Sequence, residues 1–143
     1  MQPSVLLKTT VLRNIVKETC KSAVRNIGIS NVRRSSFKVQ DQKDFQERVK
    51  NSKVPVIVDF FATWCNPCKM LTPRLESVVA EKKGEVLLAK VDIDENTDLA
   101  LDYEVSAVPV LIAFKNGKEQ ERLVGLQDVD KLRKFVNKVV DEK

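Results

Sequence analysis

Residues 54–62 form a β-rich apolar run broken only by Asp59, the pattern of a central strand covered on both faces. Such a strand needs one layer of helices above it and another below, which restricts the chain to an α/β sandwich. The flanking sequence supplies both layers. A strand is expected near 37–39, then a helix that Asp41 caps, with Asp44 in its first turn and Phe45 and Val49 at helical spacing, running to about Ser52. Between 67 and 83, Met70, Leu71, Leu75, Val78 and Val79 mark one helical face. Pro67 suits the first turn of that helix, and Pro73 is expected to kink it by removing the bond to the Lys69 carbonyl. Residues 86–91 predict a second buried strand, and Asn96 caps a short helix through about Tyr103. After Val108-Pro109 come a strand at 110–114, the hairpin signal Asn116-Gly117 and an antiparallel return at 119–124. A last helix from about Asp128 buries Val129, Leu132, Phe135, Val136 and Val139. This order implies an α/β fold with a mixed central sheet, parallel at first and closed by a hairpin, and helices on both faces.

What the 143 residues lack excludes several chemistries. Without histidine there is no imidazole base and no histidine-ligated metal site. The four glycines, at 28, 84, 117 and 125, are too scattered for a phosphate-cradling loop or a dinucleotide fingerprint. No apolar run approaches the roughly 18 residues of a membrane span, so no stable membrane association is expected. The net charge of +5 points to nucleic acid only until it is divided along the chain. Residues 1–34 hold seven basic groups against the single acid Glu18, and the remainder holds 18 basic and 19 acidic groups. The domain is nearly neutral, and nucleic-acid binding loses its compositional support.

The basic segment has its own pattern. Arg13, Lys17, Lys21 and Arg25 recur every four positions, while Leu12, Ile15, Val16, Ala23 and Ile27 fall mainly on other faces, a basic amphipathic helix. The segment is rich in Ser and Thr and almost free of acid, which is the composition of a mitochondrial transit peptide, and charges interrupt every stretch that could serve as a secretory core. The expected organisation is a cleavable leader at 1–34 and a domain at 35–143, with Arg33-Arg34-Ser35-Ser36-Phe37 as the processing region and the mitochondrial matrix as the destination. Cys20 would leave with the leader. A retained helix or tail, and chloroplast import, are the alternatives.

Trp64-Cys65-Asn66-Pro67-Cys68 lies where the long strand ends and the longest helix begins. Two cysteines three apart on a first helical turn can close a small disulfide ring, and the helix N-terminus stabilises a thiolate at Cys65 through its dipole and unpaired amides. Cys65 is therefore the expected nucleophile. Cys68, one turn further in, is expected to be more buried and to attack a mixed disulfide formed at Cys65. The alternatives are a structural disulfide and half of a zinc site. Zinc takes about four ligands, whereas the domain offers two cysteines and no histidine, so no metal site is expected. A purely structural disulfide is uncommon in a reducing compartment, and the motif beside a βαβ pattern favours redox catalysis. Asp59 is an acid in an otherwise apolar strand, and Lys90 is its counterpart in the next strand. One buried charge is expensive but two adjacent ones can pair, and the two are read as groups that transfer protons and tune pKa. The alternative is that both face solvent at a strand end.

The segment Val58-Asp59-Phe60-Phe61-Ala62-Thr63-Trp64-Cys65-Asn66-Pro67-Cys68-Lys69 resembles the active-site signature of the thioredoxin family. The likeness covers the whole domain. Ala89-Lys90-Val91-Asp92-Ile93-Asp94, Val105-Ser106-Ala107-Val108-Pro109, Lys115-Asn116-Gly117 and Val124-Gly125 all sit at family spacings. With its leader, the chain is similar to the mitochondrial type. The resemblance implies a thioredoxin fold and a protein-disulfide reductase, a thiol–disulfide oxidoreductase that binds no cofactor and serves redox homeostasis. It implies electrons from NADPH through thioredoxin reductase, disulfide-containing partners such as peroxiredoxins, and a monomer. It further implies a redox disulfide between Cys65 and Cys68 and a cis Pro109 facing that pair, with Val108 offering backbone bonds to an extended substrate. Trp64, Asn66, Pro67 and Gly125 would border the groove, and Asp59 would take the proton of Cys68, directly or through one water.

Departures from the family pattern are Asn66 where glycine is usual, Val110 where threonine commonly follows the cis proline, and Phe61 where many members have tryptophan. Residues between the cysteines influence thiolate stability, so Asn66 bears on the reduction potential. Two other functions compete: an oxidant of the disulfide-isomerase type, disfavoured by the absence of a histidine between the cysteines, and a binding or scaffold module. Retention of Cys65, Cys68, Asp59 and Pro109 disfavours the scaffold.

Overall fold

The computed structural model describes residues 35–142, so the leader expected at 1–34, with Cys20, lies outside the described residues. The chain begins with a short strand β1 (Ser36–Lys38) and the helix α1 (Gln42–Phe45), which widens into a π-helical turn (Gln46–Lys50). There follow β2 (Val56–Phe61), α2 (Asn66–Ala80), β3 (Leu87–Asp92), α3 (Thr97–Asp102), β4 (Val110–Lys115), β5 (Lys118–Val124) and α4 (Val129–Asp141). The strands form one sheet in the order β1-β3-β2-β4-β5. β3 runs parallel to both β1 and β2, while β4 is antiparallel to β2 and to β5. The mixed sheet follows from the connections: helical crossovers return the chain parallel, and the tight turn at Asn116-Gly117 returns it antiparallel. Both turn residues have positive φ, 53° and 75°, as a two-residue hairpin of this hand requires. At Gly117 a Cβ would lie 2.9 Å from the Lys50 carbonyl oxygen, so glycine also lets the hairpin meet the end of the first helical segment.

Strand alternation divides the core between the two sides of the sheet. Ile57, Leu88, Leu111 and Ala113 point toward α2 and α4, where Leu71, Leu75, Leu132 and Val136 are fully buried. Val58, Phe60, Val91, Val110 and Ile112 point the other way, against Phe45, Val49 and Leu99. Phe45 and Phe114 meet edge to face at 5.6 Å, and Tyr103 packs on both. Each fully buried aliphatic or aromatic side chain contributes about 1.5–3 kcal/mol, so a one-residue slip of β2 would exchange its two faces and is strongly disfavoured. That register carries Asp59 to the α2 side, opposite Lys90 on β3 and Leu111 on β4.

The expected cap forms at Asp41, whose carboxylate accepts from the Asp44 amide at 2.7 Å, and Asp128, the expected start of the last helix, caps it by accepting from the Lys131 amide at 2.8 Å. Asn96 differs: it stands at the start of α3, but its side chain accepts no cap bond and its amide instead donates to the Asp92 carbonyl at 3.4 Å. Its backbone, at φ −125° and ψ 56°, does not aim the side chain at the helix amides. Met70 is corrected too. It is 51% exposed, because the 3.6-residue period that buries Leu71, Leu75 and Val78 turns position 70 toward solvent. Val129 is only partly buried, at the first residue of α4. The helix α2 is continuous through Pro73, with Leu71 and Leu75 holding both halves on the sheet.

Candidate active site

The sheet delivers the cysteine pair to the end of β2. After Phe61 the chain turns through the buried Ala62, and Cys65 becomes the N-cap of α2, with φ −82° and ψ 107°. A helix leaves its first amides without internal partners. One of them, that of Cys68, donates to Cys65 Sγ at 3.2 Å. Pro67, with no amide to satisfy, occupies the first turn. Cys65 and Cys68 are joined as a disulfide. Both are buried in this form, with exposures of 4% and 2%, so the expected difference in burial between them is slight.

Facing the pair, the Val108–Pro109 peptide is cis, and the Val108 carbonyl oxygen lies 3.8 Å from Cys65 Sγ. Pro109 is itself buried, and its carbonyl accepts from the Gly125 amide at 2.8 Å. Gly125 has φ +83° and open space where a Cβ would stand. The expected groove residues Trp64, Asn66, Pro67 and Val108 are exposed or half-exposed beside the disulfide. Trp64 is 65% exposed, and its indole Nε1 donates to Asp94 Oδ2 at 3.0 Å, so it lies outside the core. Val124 and Leu126, on either side of Gly125, are exposed as well. The sequence reading takes Val124 only for its spacing beside Gly125 and passes over Leu126; the signal for both was their place next to that glycine.

Behind the disulfide, α2 covers the strand that carries Asp59. Asp59 has no solvent exposure. Its Oδ2 accepts from the Thr72 hydroxyl at 2.7 Å, and its Oδ1 is buried without a hydrogen-bond partner among the described residues. Burial pushes this carboxyl up to about 6; the Thr72 bond and the Lys90 charge pull it down, and Glu76 pushes it up. The expected pair with Lys90 does not form. Lys90 Nζ bonds Glu76 Oε1 at 2.8 Å instead, where both side chains keep partial exposure and the ammonium avoids full desolvation. The alternative in which Asp59 faces solvent is overturned by its burial.

Thr72 and Glu76 were missed by the sequence reading, although the spacing held a clue. Cys68, Thr72 and Glu76 follow one another at intervals of four on α2 and so share one helical face. That face borders a cleft of about 530 Å³ whose lining includes Lys38, Phe61, Cys68, Thr72, Glu76 and Lys90. Among the described residues no group of three or more His, Cys, Asp or Glu side chains could hold a metal ion.

Comparison with known proteins converges on one family. The family model described as Thioredoxin matches residues 36–138. The chain is 54% identical over 119 residues to "Thioredoxin, mitochondrial" of Bos taurus, covering 83% of this chain and 72% of that protein. It is 47% identical over 106 residues to "Probable thioredoxin-2" of Caenorhabditis elegans, covering 74% and 73%. Among solved structures, a mutant thioredoxin from Halobacterium salinarum matches with a TM-score of 0.67 and 36% identity, over 73% of this chain and 90% of that one. The similarity to mitochondrial thioredoxins, seen also at 52% identity in Mus musculus, supports a mitochondrial location. Thioredoxins exchange electrons through such a cysteine pair, bind no cofactor of their own and act with thioredoxin reductase and disulfide substrates. Because sequence and topology agree across most of the length and meet at the Cys65–Cys68 disulfide, the chain belongs to the thioredoxin family and is a thiol–disulfide oxidoreductase.

Proposed function

We propose that Cys65 is the nucleophile and Cys68 the resolving thiol of a protein-disulfide reductase of the mitochondrial matrix. The observation that carries the order is the Cys68 amide, 3.2 Å from Cys65 Sγ. An amide donor at a helix N-terminus favours negative charge on the sulfur it faces, and no corresponding donor is aimed at Cys68 Sγ among the described residues. In the reduced protein the Cys65 thiolate attacks one sulfur of a substrate disulfide and displaces the other as a thiolate. Cys68 then attacks Cys65 Sγ, closing the internal disulfide and releasing the substrate's second thiol; two electrons pass from the enzyme to the substrate.

Asp59 is the general base that takes the Cys68 proton, and its raised pKa suits that task near neutral pH. Lys90 tunes Asp59 by its charge from the neighbouring strand while its ammonium bonds Glu76. Trp64, Asn66, Pro67, Val108, Pro109 and Gly125 form the substrate groove, with the Val108 backbone set against an extended segment. Both cysteines and the groove belong to one chain, which is consistent with a monomer. Peroxiredoxins, as carriers of protein disulfides, are the substrate class we favour. The basic leader at 1–34, removed to leave 35–143, supports the matrix assignment together with the mitochondrial relatives.

Single-cysteine variants test the order. With a disulfide-bearing protein as substrate, Cys68→Ser should trap a covalent adduct because attack occurs without resolution, and Cys65→Ser should form none. An adduct with Cys65→Ser and none with Cys68→Ser would reverse the two roles.

A further inference from the structure

We propose that Thr72 is a positioning residue for the redox cycle: its hydroxyl holds the buried Asp59 carboxyl by Oδ2 and reserves Oδ1 for the proton exchanged with Cys68. This rests on the reading of Asp59 as the base. The hydroxyl provides the hydrogen bond to Asp59 Oδ2, at 2.7 Å, and Oδ1 has no partner among the described residues. Thr72 is half-buried and lines the same cleft as Cys68, whereas Asp59 is sealed beneath it. The threonine therefore stands between the carboxyl and the solvent that fills the cleft.

The chemistry follows from donor and acceptor capacity. A threonine hydroxyl carries one proton, and an ionised carboxylate is the acceptor it stabilises best. In resolution the Cys68 S–H proton passes to Asp59 Oδ1, the Cys68 thiolate forms a bond to Cys65 Sγ, and the bond from Cys65 Sγ to the substrate sulfur breaks. The substrate leaves as a thiolate, and neutral Asp59 can return the proton. For this step Asp59 must be ionised beforehand, in a place that disfavours its charge. Thr72 offsets part of that penalty and fixes which oxygen is free.

The charged groups around Asp59 do not duplicate this effect. From β3 it faces Lys90, from α2 Glu76, with Cys68 one turn before Thr72 on the same helical face, and from β4 the apolar Leu111. Lys38 of β1 lines the cleft but pairs with Glu95. Lys90 attracts the Asp59 charge, yet its ammonium is bonded to Glu76, whose own charge acts in the opposite sense. Thr72 is thus the neighbour that contributes a direct hydrogen bond to the ionised form.

Removal of the hydroxyl tests the proposal. Thr72→Val keeps the shape, Thr72→Ala serves where valine impairs folding, and Thr72→Ser restores the donor. Two quantities are read: the carboxyl carbon-13 titration of Asp59 in the oxidised protein, and the pH profile of substrate release from the mixed disulfide. In the valine and alanine variants the Asp59 titration should move upward by about one unit, which slows release by about ten-fold on the acid limb and leaves the alkaline limb unchanged. Serine should return both curves to the parent. Coincident titrations in parent, valine and alanine proteins overturn the proposal, and Asp59 remains the base provided Asp59→Asn still slows release. A titration that moves while release stays unchanged also overturns it; if Asp59→Asn is then equally silent, the failure lies in the reading of Asp59. Loss of stability alone, with both curves in place, reduces Thr72 to a packing residue and overturns it as well.

Discussion

Asp59→Asn measures what it costs to hold a carboxylate between the sheet and α2. Asp59 is wholly buried, and its pKa rises from 3.8 to about 6 on folding, chiefly through desolvation. Between these values the folded protein keeps a proton that the unfolded chain has released. Stability therefore falls as pH rises through that window and stays at the lower level above it. With about 1.4 kcal/mol per unit, the ionised group costs about 3 kcal/mol at pH 8 and less than about 1 kcal/mol at pH 4. Asparagine does not ionise. Its own penalty, an amide donor placed where Oδ1 has no partner, is about 1–3 kcal/mol and independent of pH, so it cancels when the same pair of proteins is compared across pH. The difference in unfolding free energy should move in favour of Asp59→Asn by about 2 kcal/mol between pH 4 and pH 8. Urea titrations of both oxidised proteins at several pH values read this shift, provided the m-values agree. A difference that stays constant over the range, or moves against asparagine as pH rises, refutes the reasoning.

A chain lacking residues 1–34 should fold and reduce protein disulfides but lose mitochondrial import; import of the truncated protein into isolated mitochondria would disprove a separable address. Asn66→Gly should change the reduction potential by some tens of millivolts, where about 30 mV corresponds to 1.4 kcal/mol for a two-electron couple. Equilibration with a glutathione buffer measures it, and equal potentials would make Asn66 electrochemically silent. Gly117→Ala should destabilise the domain by about 1–2 kcal/mol, because alanine must adopt φ 75° with its Cβ 2.9 Å from the Lys50 carbonyl oxygen. Thermal unfolding at unchanged stability would show that the turn yields without cost.

Local pattern was enough to read the layers of this protein and the position of its chemistry. The two-sided burial of β2 shows in a continuous apolar run, the hairpin in Asn116-Gly117, the capped first helix in Asp41, the start of the last helix near Asp128, and the cysteine pair in its spacing at a strand-to-helix junction. These features depend on a residue and its near neighbours, within one turn or one pleat, so a linear sequence displays them. Tertiary structure decided the partners of the charged groups. Asp59 and Lys90 do face the same side of adjacent strands, and from the sequence alone they would be expected to pair. Folding lays α2 across them, which brings Thr72 to the carboxyl and Glu76 to the ammonium. Which contact wins depends on neither composition nor propensity but on depth: the ammonium stays partly exposed by bonding Glu76 at the cleft, and the carboxyl, with no solvent exposure, takes the Thr72 hydroxyl that the helix places above it.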